Sequence, residues 1–194
     1  MLFVNKEVKM KKCLLGMISL LLISSPFAGE KEGITIPDKM TLAGKELVLN
    51  GMGVRRATFF NIKVYVGGLY VSQKSTDAKA ILEQPLPKYI SMNFLRDVDS
   101  DSLTDAWKEG FVAAVPEAKR KALMPALEEF NKAMGNIKKE QTILVSFLET
   151  GVEVVFNGKK SGPIGNAEFS KALFSIWFVN ARDEELRDEL LGKI

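Results

Sequence analysis

Residues 51–71 read GMGVRRATFFNIKVYVGGLYV. Two runs rich in β-branched and aromatic residues flank a short break, which predicts a β-hairpin. Arg55 and Arg56 stand among apolar residues on the first strand, and Tyr65 lies on the second. A guanidinium in a core is costly unless something anionic meets it, so the pair is either a solvated strand end or half of a binding site. A three-residue turn over 59–61 sets Arg55 opposite Tyr65, whereas a two-residue turn at Phe60 and Asn61 sets Arg56 there; with no glycine in the turn, both registers stay open. By alternation the other arginine points to the opposite face, toward water. The plain reading is that both arginines protect an exposed sheet edge from pairing.

Working outward, residues 34–36 and 45–50 read as short strands, with Leu47 and Leu49 sharing a face. TDAKAILEQ reads as a short capped helix stopped by Pro85, and KYISMNFL as a strand. DSDSLTDAWKEGFVAAV has N-cap candidates in Ser100 and Ser102 and sets Leu103, Trp107, Gly110 and Phe111 at helical spacing. AKRKALMPALEEFNKAMG is a second helix, with a kink or break expected at Pro125. QTILVSFL and GVEVVFNGK form a hairpin, AEFSKALFSIWFV a helix apolar nearly all round, and ARDEELRDELLGK a closing amphipathic helix. About seven strands, with helices grouped instead of alternating, predict an α+β domain: an antiparallel sheet with helices on one face.

Residues 1–29 carry lysines at positions 11 and 12, an apolar run from Leu14 to Ile23 and then small residues, the pattern of a secretory signal, with Met10 as an alternative start. The run is too short to span a bilayer, so no transmembrane segment is expected and the location expected is periplasmic or secreted. Residues 30–194 then form one domain without cysteine, since Cys13 leaves with the signal. The first 29 residues hold four of the 27 basic residues (Lys6, Lys9, Lys11, Lys12) and one of the 24 acidic ones (Glu7). The remainder is therefore balanced in charge, which leaves no electrostatic case for nucleic acid. The basic cluster from Lys119 to Lys121 reads as a solvated helix face.

The chain has no histidine, which excludes Ser/His and Cys/His nucleophile systems and every histidine metal site. No phosphate-binding glycine loop is present. Asp97, Asp99 and Asp101 lack the spacing of a calcium loop and suit a helix N-terminus. Neither a metal nor a cofactor is expected. What remains is arginine beside a phenol, a receptor for a carboxylate or a developing oxyanion.

LNGMGVRRATFFNIKVYVGGLYV, FSKALFSIWFV and the closing LLG together resemble the chalcone isomerase-like superfamily, in particular its secreted bacterial branch, from about Gly33 to Gly192. The resemblance implies an open-faced β-sandwich of chalcone isomerase type, a large antiparallel sheet packed against a layer of helices with a ligand cleft between them. It selects Arg55 over Arg56, and it puts Tyr65 where fatty-acid-binding members also have tyrosine and plant isomerases threonine. Leu103 and Gly110 fall where true isomerases have tyrosine and asparagine, and Ser175 matches their late hydroxyl. The implied function is a non-catalytic binding protein in which Arg55 and Tyr65 hold the carboxylate of a fatty acid or other small apolar acid, with Ser175, Trp107 and Phe111 as further ligand contacts and Phe174 and Trp177 as further candidates for the cleft wall. The alternative is an intramolecular lyase or isomerase acting on a phenolic or enone substrate through Arg55, Tyr65 and Ser175. A third reading closes the cleft and pairs Arg55 with an internal carboxylate such as Glu153.

Overall fold

The computed structural model describes residues 27–57 and 60–194. The expected signal segment lies almost wholly outside them. Nine strands and five α-helices occur among the described residues. The strands are β1 (Phe27–Lys31), β2 (Ile34–Pro37), β3 (Lys39–Leu42), β4 (Lys45–Ala57), β5 (Ile62–Val71), β6 (Lys88–Phe94), β7 (Thr142–Leu148), β8 (Gly151–Phe156) and β9 (Lys159–Ile164). The helices are α1 (Ala78–Glu83), α2 (Ser100–Ala114), α3 (Glu117–Lys132), α4 (Ala167–Phe174) and α5 (Glu184–Leu190). Strands β3 to β9 form one antiparallel sheet in chain order, while β1 and β2 form a separate hairpin. This is the α+β architecture read from the sequence.

The two faces of the sheet carry different cores. Leu69, Val71, Ile90, Met92, Phe94, Val145, Phe147, Val152 and Val154 face the helices, where Leu103, Phe111, Leu127, Phe130, Phe169 and Leu173 meet them. On the other face Leu47, Leu49, Val54, Val66 and Tyr70 pack against Ile36 of the hairpin. At about 1.5–3 kcal/mol for each large apolar side chain fully buried, these clusters supply most of the folding drive.

Three details differ from the sequence reading. Residues 45–57 form one long strand instead of two, because a bulge at Asn50 restores the alternation after Leu49. Asp99, not Ser100 or Ser102, caps α2, its carboxylate accepting from the backbone N–H of Ser102 at 2.8 Å. The α3 helix runs through Pro125 without a break; Glu117 and Lys132 bound a helix long enough to hold together around one missing donor.

Lys88 is 1% exposed, faces the helices and has no carboxylate partner among the described residues. Its Nζ donates to the carbonyl of Leu82 at 2.9 Å and sits 4.6 Å from the ring centre of Phe174. Burial, with a smaller push from Lys171, brings its amine down from 10.5 to about 8. Between these values the unfolded chain holds a proton that the folded one lacks, so stability rises with pH there, by at most about 1.4 kcal/mol per unit for one proton. Urea unfolding from pH 7.5 to 9.5 should show this rise in the wild type and its absence in Lys88→Met. The window stops short of pH 10, above which buried tyrosines oppose the trend.

Candidate functional site

The site grows from the motif Gly51-x-Gly53-x-Arg55 on one face of β4. A side-chain carbon at Gly51 would lie 2.6 Å from the carbonyl oxygen of Leu190, and one at Gly53 would lie 2.8 Å from Cδ1 of Leu186. The two glycines let α5 lie directly on the strand. Arg55, the next residue on that face, emerges at the N-terminus of α5, where Asp183 is the cap.

Asp183 connects helix to strand. Its Oδ1 accepts from the backbone N–H of Leu186 at 2.9 Å, while its Oδ2 accepts from the Arg56 backbone at 2.8 Å and from Nη1 of Arg55 at 3.1 Å. Nη1 also donates to the carbonyl of Arg56. Nε and Nη2 of Arg55 have no protein partner among the described residues. One edge of the guanidinium is thereby anchored and the other presents two donors. The internal counter-ion is Asp183, not Glu153, which pairs instead with Lys160 at 2.8 Å.

Arg55 pairs directly with Tyr65 across the β4–β5 ladder. The connection is the four residues 58–61, one more than the three-residue turn, and a bulge at Val64 absorbs the difference. The carboxylates of α5, which packs on β4, overturn the expectation for Arg56. Instead of pointing to water, its side chain is 19% exposed, donates to the Val54 carbonyl at 3.0 Å, and pairs with Glu185 at 3.3 Å and Glu189 at 3.5 Å. Neither arginine is a free strand end.

Arg55 and Tyr65 line one cavity of about 100 Å³ between the sheet and α2, together with Met92, Leu103, Trp107 and Trp177. Trp177 Nε1 donates to the Tyr65 hydroxyl oxygen at 3.2 Å. Burial pushes the Tyr65 phenol up, against the weaker downward pulls of the Trp177 N–H and Arg55. It is therefore a neutral donor at ordinary pH. Arg182, half exposed and paired with Glu109 of α2, stands at the mouth.

The other expected contacts divide. Trp107 and Trp177 line the cavity. Phe111 does not: it is fully buried against Phe169, with ring centres 6.1 Å apart, because one turn beyond Trp107 it faces α4. Phe174 is equally buried, packed on Phe147 and Phe178. Ser175 is also absent from the cavity wall; it ends α4, and its hydroxyl turns back to the carbonyl of Ala172 at 2.7 Å. Asp183, Arg182 and Leu186 were not anticipated as cavity residues, although an aspartate ahead of Glu184 and Glu185 does carry an N-cap signal.

Leu103 and Gly110, the positions matching the isomerase tyrosine and asparagine, are both in the wall. A family model described as chalcone isomerase-like matches residues 28–192. The chain belongs to that family. Among solved structures, a fatty-acid binding protein of Arabidopsis thaliana, AtFAP1, is similar with a TM-score of 0.65 and 16% identity, over 87% of this chain and 97% of the plant protein. At that identity the likeness shows a shared chalcone isomerase-like fold. No curated protein sequence matches the chain. No helix among the described residues is long and apolar enough to cross a membrane.

Proposed function

We propose that this chalcone isomerase-like protein is a non-catalytic binder of a small apolar carboxylate, with Arg55 and Tyr65 receiving the carboxylate and the walls of the sheet–helix cavity receiving the apolar body. The observation that carries this reading is the directly paired Arg55 and Tyr65 at one end of an otherwise largely apolar cavity. Asp183 holds one edge of Arg55 in place, so that the forked donors of the other edge are preorganised for an anion. Leu103 and Gly110 give the wall no hydroxyl or amide, which favours binding over isomerisation.

The volume bounds the guest. Pockets for drug-sized ligands run to roughly 300–1,000 Å³, so about 100 Å³ suits a short acid, or the head of a fatty acid whose tail leaves past Arg182. The plant protein's fatty-acid binding makes such acids natural first probes. The basic and then apolar opening segment supports a periplasmic or secreted location, which fractionation of expressing cells and the mass of the exported chain would check.

Calorimetric titration with short-chain and aromatic acids tests the reading. Arg55→Ala should weaken binding roughly 10- to 150-fold, since a hydrogen bond to a charged group contributes about 1.5–3 kcal/mol. Tyr65→Phe should weaken it about tenfold. Unchanged affinity in Arg55→Ala, with circular dichroism showing an intact fold, would overturn the proposal.

A further inference from the structure

Of the described residues that line the cavity, Ala106 and Arg182 alone are exposed. The mouth therefore lies between α2, which carries Ala106, and the segment 179–183, which carries Arg182 and leads into the cap of α5. Glu109 follows Ala106 by three positions and so stands beside it on the helix, and its carboxylate pairs with Arg182 across the mouth. Behind this pair the space is about 100 Å³. A cavity of roughly 150 Å³ takes up a benzene, so a guest longer than a few carbons enters only if the mouth widens.

The segment is held unequally on its two sides. Toward the sheet, Asp183 is 10% exposed and accepts from Arg55, from the Arg56 backbone and from the Leu186 backbone, three bonds that water competes for poorly. Toward α2, two polar contacts hold it among the described residues. One is the Arg182–Glu109 pair, with both side chains at least half exposed, and the other runs from Asn180 Nδ2 to the carbonyl of Ala113 at 2.9 Å, also in the open. Exposed ion pairs contribute little and salt screens them. The α2 side is where this segment lets go first.

We propose that residues 179–182 form a strap, hinged at Asp183 and latched to α2 by Glu109 and the Ala113 carbonyl, and that release of the latch admits acids with longer tails. Because the hinge is the same carboxylate that anchors Arg55, the strap can swing from α2 while the guanidinium keeps its place. Glu109 and Asn180 are then residues that set the length of the guest without lining its cavity. The opening follows from the strap's own contacts; the role in choosing a guest rests on the acid-binding reading above.

The protein has two tryptophans, Trp107 and Trp177, and both line the cavity at 5% exposure, so quenching of their fluorescence by acrylamide reads the opening without a ligand. The variant is Glu109→Ala with Asn180→Gly; glycine adopts the φ of +47° found at Asn180 without strain. Its quenching constant should rise at least about twofold, a local opening, with the melting temperature little changed. Sodium chloride at about 0.5 M should raise the constant of the wild type and not that of the variant, since acrylamide is neutral and salt acts on the ion pair. A variant quenched no more than the wild type overturns the strap, whatever the acids do. In calorimetry, decanoate should gain at least about fivefold over pentanoate in the variant, as the open fraction grows. Pentanoate binding with an unchanged preference overturns the role in guest length and leaves acid binding through Arg55 intact. Failure of both acids alongside raised quenching overturns the acid reading and that role with it, and upholds the opening.

Discussion

Glu189→Ala should lower the unfolding free energy by about 3–5 kcal/mol, the range for removing one partner from a buried charge pair. Glu189 is 6% exposed, yet one oxygen meets Lys31 at 2.5 Å and the other accepts from the backbone N–H of Val54 at 2.6 Å and lies 3.5 Å from Arg56. Removing it leaves a buried strand N–H without its acceptor and Lys31 without its carboxylate, reduces the partners of Arg56 to the more exposed Glu185, and unties the β1–β2 hairpin from α5. Glu189→Gln keeps an acceptor for Val54 and should lose less than the alanine variant. Urea denaturation measures both, and a loss below about 1 kcal/mol in Glu189→Ala would show that water replaces the carboxylate.

Gly51→Ala should cost at least about 3 kcal/mol, at the upper end for overpacking. The added carbon would sit 2.6 Å from the Leu190 carbonyl oxygen and closer still to that of Glu189, and both atoms belong to backbone. Backbone cannot rotate aside as a side chain does, so α5 must lift from β4. That movement carries Asp183 away from Arg55, so the acid affinity proposed above should fall with stability even though Gly51 does not line the cavity. Gly135→Ala is the control, because its nearest neighbour would be the edge of Phe156 at 3.6 Å, and it should change stability by less than about 1 kcal/mol. Equal melting temperatures for the two variants would contradict the packing described for α5.

The fold was legible where period and composition coincide. The β7–β8 hairpin, the amphipathic faces of α2 and α3 and the capped start of α1 all follow from local pattern. Less regular elements were missed: β3 is four residues of mixed burial, and β9 carries glycine and proline, so neither announces a strand. The pairing of Arg55 with Tyr65 was one of two registers open to the hairpin, and a loop of four residues reached it through a bulge that leaves no mark in hydropathy. Arg56 was misplaced because Glu185 and Glu189, which cover it, lie in the last helix and not near it in the chain. Asp183 was unreadable as a partner of Arg55 because the two are 128 positions apart, and proximity at that separation is a product of the whole fold. Ser175 matched a family position by type alone, and its backbone bond could not be seen without the helix end that creates it.

The laying of α5 onto the two glycines also sets an order of events. The strand that bears the arginines leaves the ribosome long before the segment that neutralises them, so through most of synthesis two cations sit on an unfinished sheet with no native counter-charge. Arg55 thus gains its counter-ion only with the last helix, and a product cut short before residue 183 would possess every strand of the sheet yet lack the carboxylate that anchors this guanidinium.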